Sequence, residues 1–342
     1  MENKNEIFPD SFWKKAGWAA LGIVIFLAMA GGVYFYAFDR VGLHGTAMVY
    51  VPKDATGKDI ADALESKGVI RSGRLFRFYA RIAGSSNVLQ SGTYKMKQGL
   101  TVKEAMEALR SGKTESVMVT VPEGYTVHQI ALLLKQAGVP AADDFEKVAS
   151  SYGPLPYQYG PVAVPVKAEG FLFPDTYHIP LEYSAKRICD IMYQRTDKMF
   201  TPDIRRKAEA KQLTLHDLMT LASMVEREAK FKEDQVPIAS VMLKRLAVGM
   251  PLQIDATIQY ALGNPKEDLT IADTKIDSPY NTYTHQGLPP GPIGSPGLDA
   301  IEAVLAAQPG EYLYYVAQAD GHHVFTRSYE EHQTETENIY GP

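Results

Sequence analysis

Apolar positions along the chain change their period several times, and each change marks an element. From Ala16 to Phe38 no charged residue interrupts the run. At about 1.5 Å rise per residue, its 23 residues exceed the roughly 30 Å hydrocarbon core of a bilayer, which predicts one membrane-spanning helix. Two stretches then repeat at an offset of 70 residues. Val51-Pro-Lys-Asp-Ala-Thr56 matches Val121-Pro-Glu-Gly-Tyr-Thr126, Ile60 matches Ile130, Leu64 matches Leu134, and Gly68-Val69 matches Gly138-Val139. Each copy predicts a strand, a turn, a capped amphipathic helix and a glycine stop. Between them, Gln90 to Lys95 reads as a strand, and Thr101 to Arg110 as a helix that stops before Gly112.

Ser151 to Pro165, rich in Pro, Gly and Tyr, predicts a loop, and Glu169-Gly-Phe-Leu-Phe-Pro-Asp-Thr-Tyr177 an aromatic turn whose rings belong to a core. A long helix follows over Ser184 to Phe200. The next helical stretch begins at Thr214, whose spacing to Asp217 fits a capping box. On it Leu215, Leu218, Met219, Ala222 and Val225 form one stripe, with Glu226 inside that stripe and Glu228 outside it. A carboxylate on a core-facing stripe is rare unless paired or functional. Desolvation would keep a proton on it near neutral pH, as a general acid requires; pairing with an Arg such as Arg245, or a place at the rim, is the structural alternative.

Farther on, Pro237 suits the first turn of a helix ending at a Gly249 C-cap. Asp255 is read as an N-cap before Ala256-Thr-Ile-Gln-Tyr260, or else as a second catalytic carboxylate. Ser278-Pro-Tyr-Asn-Thr-Tyr283 and Gly287-Leu-Pro-Pro-Gly-Pro-Ile-Gly-Ser-Pro-Gly297 form stiff loops of the kind that line grooves. There Tyr280 and Tyr283 offer faces to sugar rings, while Asn281 and Thr282 offer hydrogen bonds. A helix from Ser295-Pro296 to about Ala307, a hairpin of Tyr312 to Ala317 with His323 to Arg327, and a short helix capped by Ser328 complete the pattern.

Composition refines this reading. A net charge of -5 and a pI near 5.9, with no basic stripe beyond short clusters such as Arg71 to Arg81, argue against a nucleic-acid-binding surface. Cys189 is the only cysteine, so no intrachain disulfide forms, and a buried structural thiol is expected. The eight His residues lack zinc-type spacing with Cys or Glu partners, so no metal site is expected. Lys14 and Lys15 precede the apolar run and only Arg40 follows closely, which predicts residues 1–15 in the cytoplasm and the remainder outside. Ala28-Met-Ala30 imitates a signal-peptidase site, but the run continues to Phe38, as in an uncleaved anchor.

Several motifs in register carry a resemblance. Leu221-Ala-Ser-Met-Val-Glu-Arg-Glu228, Leu252-Gln-Ile-Asp-Ala-Thr257, Ser278-Pro-Tyr-Asn-Thr-Tyr283, Gly287-Leu-Pro-Pro-Gly-Pro-Ile293 and Tyr312-Leu-Tyr-Tyr-Val-Ala317 occur in the order seen in the MltG (YceG-like) endolytic murein transglycosylases, which this chain resembles over nearly its whole length. Departures are Ile254-Asp255-Ala256, where the family more often has Thr-Asp-Pro, and Asp320-Gly-His-His-Val-Phe325, where His323 is matched to the family histidine. The resemblance implies an α+β fold with an anchor at 16–38, a LysM-like subdomain at 45–115 that binds glycan or acts as a spacer, a second small α+β region at 116–200 and a catalytic domain at 201–342.

It further implies a cofactor-free lytic transglycosylase, a carbon-oxygen lyase of the bacterial inner membrane that terminates nascent peptidoglycan strands with 1,6-anhydro-MurNAc ends. Glu226 is its implied acid. Gln253, Asp255, Thr257, Tyr280, Asn281, Thr282, Tyr283, Leu288, Pro289 and His323 are the expected substrate contacts. The partners implied are glycan strands and the membrane, with peptidoglycan synthases as further candidates. A muramidase in which Asp255 positions water, and a non-catalytic tethered glycan binder, are the alternatives.

Overall fold

The computed structural model describes residues 10–38, 45–84, 89–263, 266 and 269–341. Two compact units are resolved by their internal packing, 1–116 with 180–182, and 117–179 with 183–342. The short stretch 39–44, which includes Arg40, lies outside the described residues.

The first unit opens with helix α1 (Asp10–Phe38), of which Lys15–Val33 is long and apolar enough to cross a bilayer, with mean hydropathy 2.0 and none of it buried. Strand β1 (Thr46–Val51), helices α2 (Gly57–Ser66) and α3 (Gly73–Ile82), strand β2 (Gly92–Lys97) and helix α4 (Val102–Ser111) follow. The strands pair antiparallel from Thr46↔Lys97 to Val51↔Gly92. Their inward residues Val49, Val51, Tyr94 and Met96 close a small core with Leu64, Phe76 and Leu109.

In the second unit β3 (Ser116–Thr120) leads into α5 (Val127–Gln136) and α6 (Ala142–Ser151), and β4 (Thr176–Pro180) pairs with β3. The repeat seen in sequence is real at the level of local structure. Thr56 with Asp59 and Thr126 with Gln129 both form capping boxes, and Gly68 and Gly138 both adopt left-handed φ just past their helices. Helices α7 (Ala185–Met199), α8 (Pro202–Ala210), α9 (Leu215–Glu228), α10 (Lys232–Ala247), α11 (Asp255–Leu262) and α12 (Leu298–Ala306) come next, then the antiparallel hairpin β5 (Tyr314–Ala317) and β6 (His323–Thr326), and α13 (Tyr329–Tyr340). Pro237 lies inside α10, which begins five residues before it at Lys232.

One hydrophobic core joins β3, α5, α6 and α7 to α8 through α12, so residues 117–200 and 201–342, expected as separate parts, share an interior. Cys189 is in that core, and burial pushes its thiol up to about 12. Helix α9 runs through the middle, packed against α8, α10, α11 and α12, and every residue from Leu218 to Val225 is buried. A helix buried on all sides has no solvent face by which its stripe could be phased.

Candidate active site

Helix α9 starts at the expected cap, where Thr214 Oγ1 accepts the Asp217 N–H at 3.0 Å and the Asp217 carboxylate reaches back to Thr214. Its last turn leaves the core and carries Glu226, Arg227 and Glu228. The two glutamates diverge there. Glu228 opens onto a cavity of about 410 Å³ lined also by Gln253, Asp255, Tyr283, Tyr315 and His323. Its carboxylate accepts the Tyr315 O–H at 3.0 Å and the Ala256 N–H at 3.4 Å. Burial raises its pKa, the Tyr315 bond offsets part of that rise, and the nearby Asp255 charge adds to it. The group is therefore set to hold a proton beside a second carboxylate.

Glu226 does not line this cavity. It accepts the Gly297 N–H at 3.1 Å, at the N-cap of α12, and its pKa is raised by burial and by the charges of Glu123 and Asp299. A carboxylate at a helix N-terminus is well placed to stabilise that helix. Of the two glutamates it is therefore Glu228, two residues on, and not Glu226, that shares a cavity with the other expected contacts. Arg245 pairs with neither: its guanidinium donates to the Leu313, Pro251 and Leu252 carbonyls and, at 3.3 Å, to Gln253 Oε1.

The turn before α11 is built to aim Gln253 and Asp255. Gln253 takes a left-handed φ of 53°, unusual for a residue with a side chain. The turn is held by Thr282, whose carbonyl accepts Gln253 N–H at 3.0 Å and whose Oγ1 accepts Ile254 N–H at 2.9 Å. Thr257 Oγ1 lies 2.9 Å from Thr282 Oγ1 and donates to Ile254 O. Asp255 is the first helical residue and not the N-cap, which is Ile254; its carboxylate accepts the Tyr283 hydroxyl. His323 is fixed by Asp234, whose carboxylate bonds both its backbone N–H at 3.1 Å and its Nδ1 at 3.0 Å.

The expected contacts therefore divide. Gln253, Asp255, Tyr283 and His323 come together around Glu228. Thr257, Asn281 and Thr282 are buried and support that ring; Asn281 donates to the Thr274 and Ile276 carbonyls and accepts Tyr283 N–H. Tyr280 is buried against Tyr260, with ring centroids 4.8 Å apart. Leu288 packs on the core, Pro289 is buried, and neither lines the cavity. Their proline-rich loop is interior: Ile293 N–H donates to Ser223 on α9, and Gly294 lies so close to the Gly124 carbonyl that a Cβ would stand 2.5 Å from it. Tyr315 and Asp234 were not expected as site residues, and Arg245 only as an ion-pair partner of Glu226. The half-buried hairpin strand Tyr314–Ala317 carries no local mark that it lines a cavity.

Residues 49–338 match the YceG-like family. The chain belongs to that family. A relative in Bacillus subtilis named endolytic murein transglycosylase is 33% identical over 300 residues, covering 84% of this chain and 83% of its own length. One of the same name in Streptococcus pneumoniae is 31% identical over 352 residues, covering 91% of this chain; the chain spans 63% of that relative. The crystal structure of a YceG-like protein from Listeria monocytogenes superposes with a TM-score of 0.59 at 31% identity, covering 84% of this chain and 98% of that one.

Proposed function

We propose that this YceG-like protein is a membrane-anchored endolytic lytic transglycosylase of peptidoglycan, with Glu228 as its single acid and base. The observation that carries the reading is a carboxyl with a raised pKa, opening onto a cavity that also holds Asp255, Gln253, Tyr283 and His323; the names of the relatives supply the substrate. Protonated Glu228 gives its proton to the oxygen linking N-acetylmuramic acid to N-acetylglucosamine, and that bond breaks. The Asp255 carboxylate, steadied by Tyr283, faces the positive charge that develops on the sugar. Glu228, now a carboxylate, takes the proton of the muramoyl C6 hydroxyl as that oxygen closes on C1. The products are a 1,6-anhydro end and a free hydroxyl, with no water consumed. Hydrolysis of the same bond, with Asp255 positioning water, uses the same cavity and differs in its product. Mass spectrometry of digested peptidoglycan decides: 1,6-anhydromuramic ends are expected, and reducing muramic ends would overturn the lytic route.

The strand–helix–helix–strand order of β1, α2, α3 and β2 supports a LysM-like glycan-holding role for the first unit. The apolar length of α1 supports a single-pass anchor in the cell membrane, with residues 1–15 cytoplasmic and the catalytic unit outside. Protease added to intact spheroplasts is expected to digest the second unit, and its full protection would reverse the orientation.

A further inference from the structure

Arg227, between the two glutamates, has no part in the proposed reaction. It opens onto a second cavity of about 420 Å³, lined also by Val127, Glu169, Gln259 and Tyr260. Among the described residues its half-buried guanidinium has no hydrogen-bond acceptor and no ion-pair partner; Glu169 and Glu228 act on it only as charges at longer range. Guanidinium carries five donors in a fixed fork, and those of Arg227 are left for solvent or for a ligand in the cavity. Glu169 is 4% exposed, and its carboxylate is already engaged by Val127 N–H at 3.1 Å and Tyr260 O–H at 3.3 Å. Burial pushes it up to about 7, so it neutralises Arg227 only in part near neutral pH and can itself donate to an anion.

The two cavities are both lined from α9 and α11. Arg227 and Glu228 are consecutive, with Cα atoms about 3.8 Å apart. On α11, Asp255 lines the first cavity, and Gln259 and Tyr260, one turn later, line the second. A substrate whose scissile bond lies at Glu228 and whose branch leaves the same sugar would enter the second cavity with that branch. In peptidoglycan the muramoyl sugar carries a peptide on its lactyl group, and that peptide bears free carboxylates.

We propose that the second cavity receives the peptide branch of the muramoyl sugar, with Arg227 binding one of its carboxylates in a bidentate pair. The proposal rests on the peptidoglycan reading above. It makes the enzyme selective for strands that carry peptides.

The test uses the full chain on strands with their peptides intact and on strands stripped of them by an amidase. Wild type is expected to show the higher kcat/KM on the peptide-bearing strands. Arg227→Gln is expected to lose about tenfold or more there while leaving the stripped strands unchanged, with Arg227→Lys intermediate. An equal loss on both substrates, in a variant whose melting is unaltered, overturns the proposal, as does no loss on either. Binding of N-acetylmuramoyl dipeptide, measured by calorimetry, separates this from failure of the functional reading. Glu228→Gln is expected to bind it as wild type does and Arg227→Gln at least tenfold more weakly; no binding by wild type overturns the inference even if the strands are cleaved. Wild type that binds the dipeptide but cleaves neither strand would refute the transglycosylase reading and leave the carboxylate site standing.

Discussion

The pKa of Glu228 is raised because burial outweighs the two donors that reach it, the Tyr315 hydroxyl and the Ala256 amide. Those donors favour the charged form, so removing one raises the pKa further. Tyr315→Phe is accordingly expected to move the alkaline limb of kcat/KM upward, since the proton needed for bond cleavage is then lost at higher pH. A limb that stayed fixed or moved down would mean that another group sets it. Glu226 shows why the glutamate that lines the cavity could not be told from its neighbour in sequence. Helical periodicity assigns a face only where one side meets solvent, and α9 is buried all round from Leu218 to Val225. What separates the two glutamates is the neighbour of each, α12 for Glu226, and α11 with the β5–β6 hairpin for Glu228. Those contacts join residues about 30 to 90 positions apart.

At the scale of elements, the site depends on how firmly the Gln253–Asp255 turn is held. Thr282 does this with one hydroxyl that accepts Ile254 N–H and meets Thr257 Oγ1. Thr282→Val keeps the volume and removes both bonds, leaving a buried donor unpaired, and is expected to cost about 1–3 kcal/mol and to lower kcat while the fold persists. Thermal melting with steady-state rates checks this; unchanged kcat beside lowered stability would show that the turn does not position the site. Capped helices were readable because a capping box lies within four residues, as at Thr101, Thr126 and Thr214. The roles of Tyr280, Asn281 and Thr282 were not, because a polar loop residue can face a ligand or satisfy buried backbone, and only tertiary packing decides. Asn281, fully buried, does the second.

The whole second unit folds around one core, in which Val119, Ile130, Phe145, Ile188 and Tyr193 join Leu218, Ile238 and Ile301. The boundary at residue 201 was implied by the resemblance, whose motifs do not report shared burial. Residues 117–342 are therefore expected to melt cooperatively as an isolated fragment. Residues 201–342, stripped of half the core, are not. Cooperative melting of the shorter piece, followed by circular dichroism, would contradict the single core.

The most direct test of the central claim is peptidoglycan cleavage by the full chain bearing Glu228→Gln or Glu226→Gln, with both variants checked for wild-type melting. Glutamine keeps the size of the side chain but can neither give the proton nor take it back, and general acid-base assistance is worth about 10² to 10⁴ in rate. Glu228→Gln is expected to lose at least that much and Glu226→Gln less than tenfold. Wild-type cleavage by Glu228→Gln, with loss in Glu226→Gln, would return the acid to the α12 contact and contradict the account.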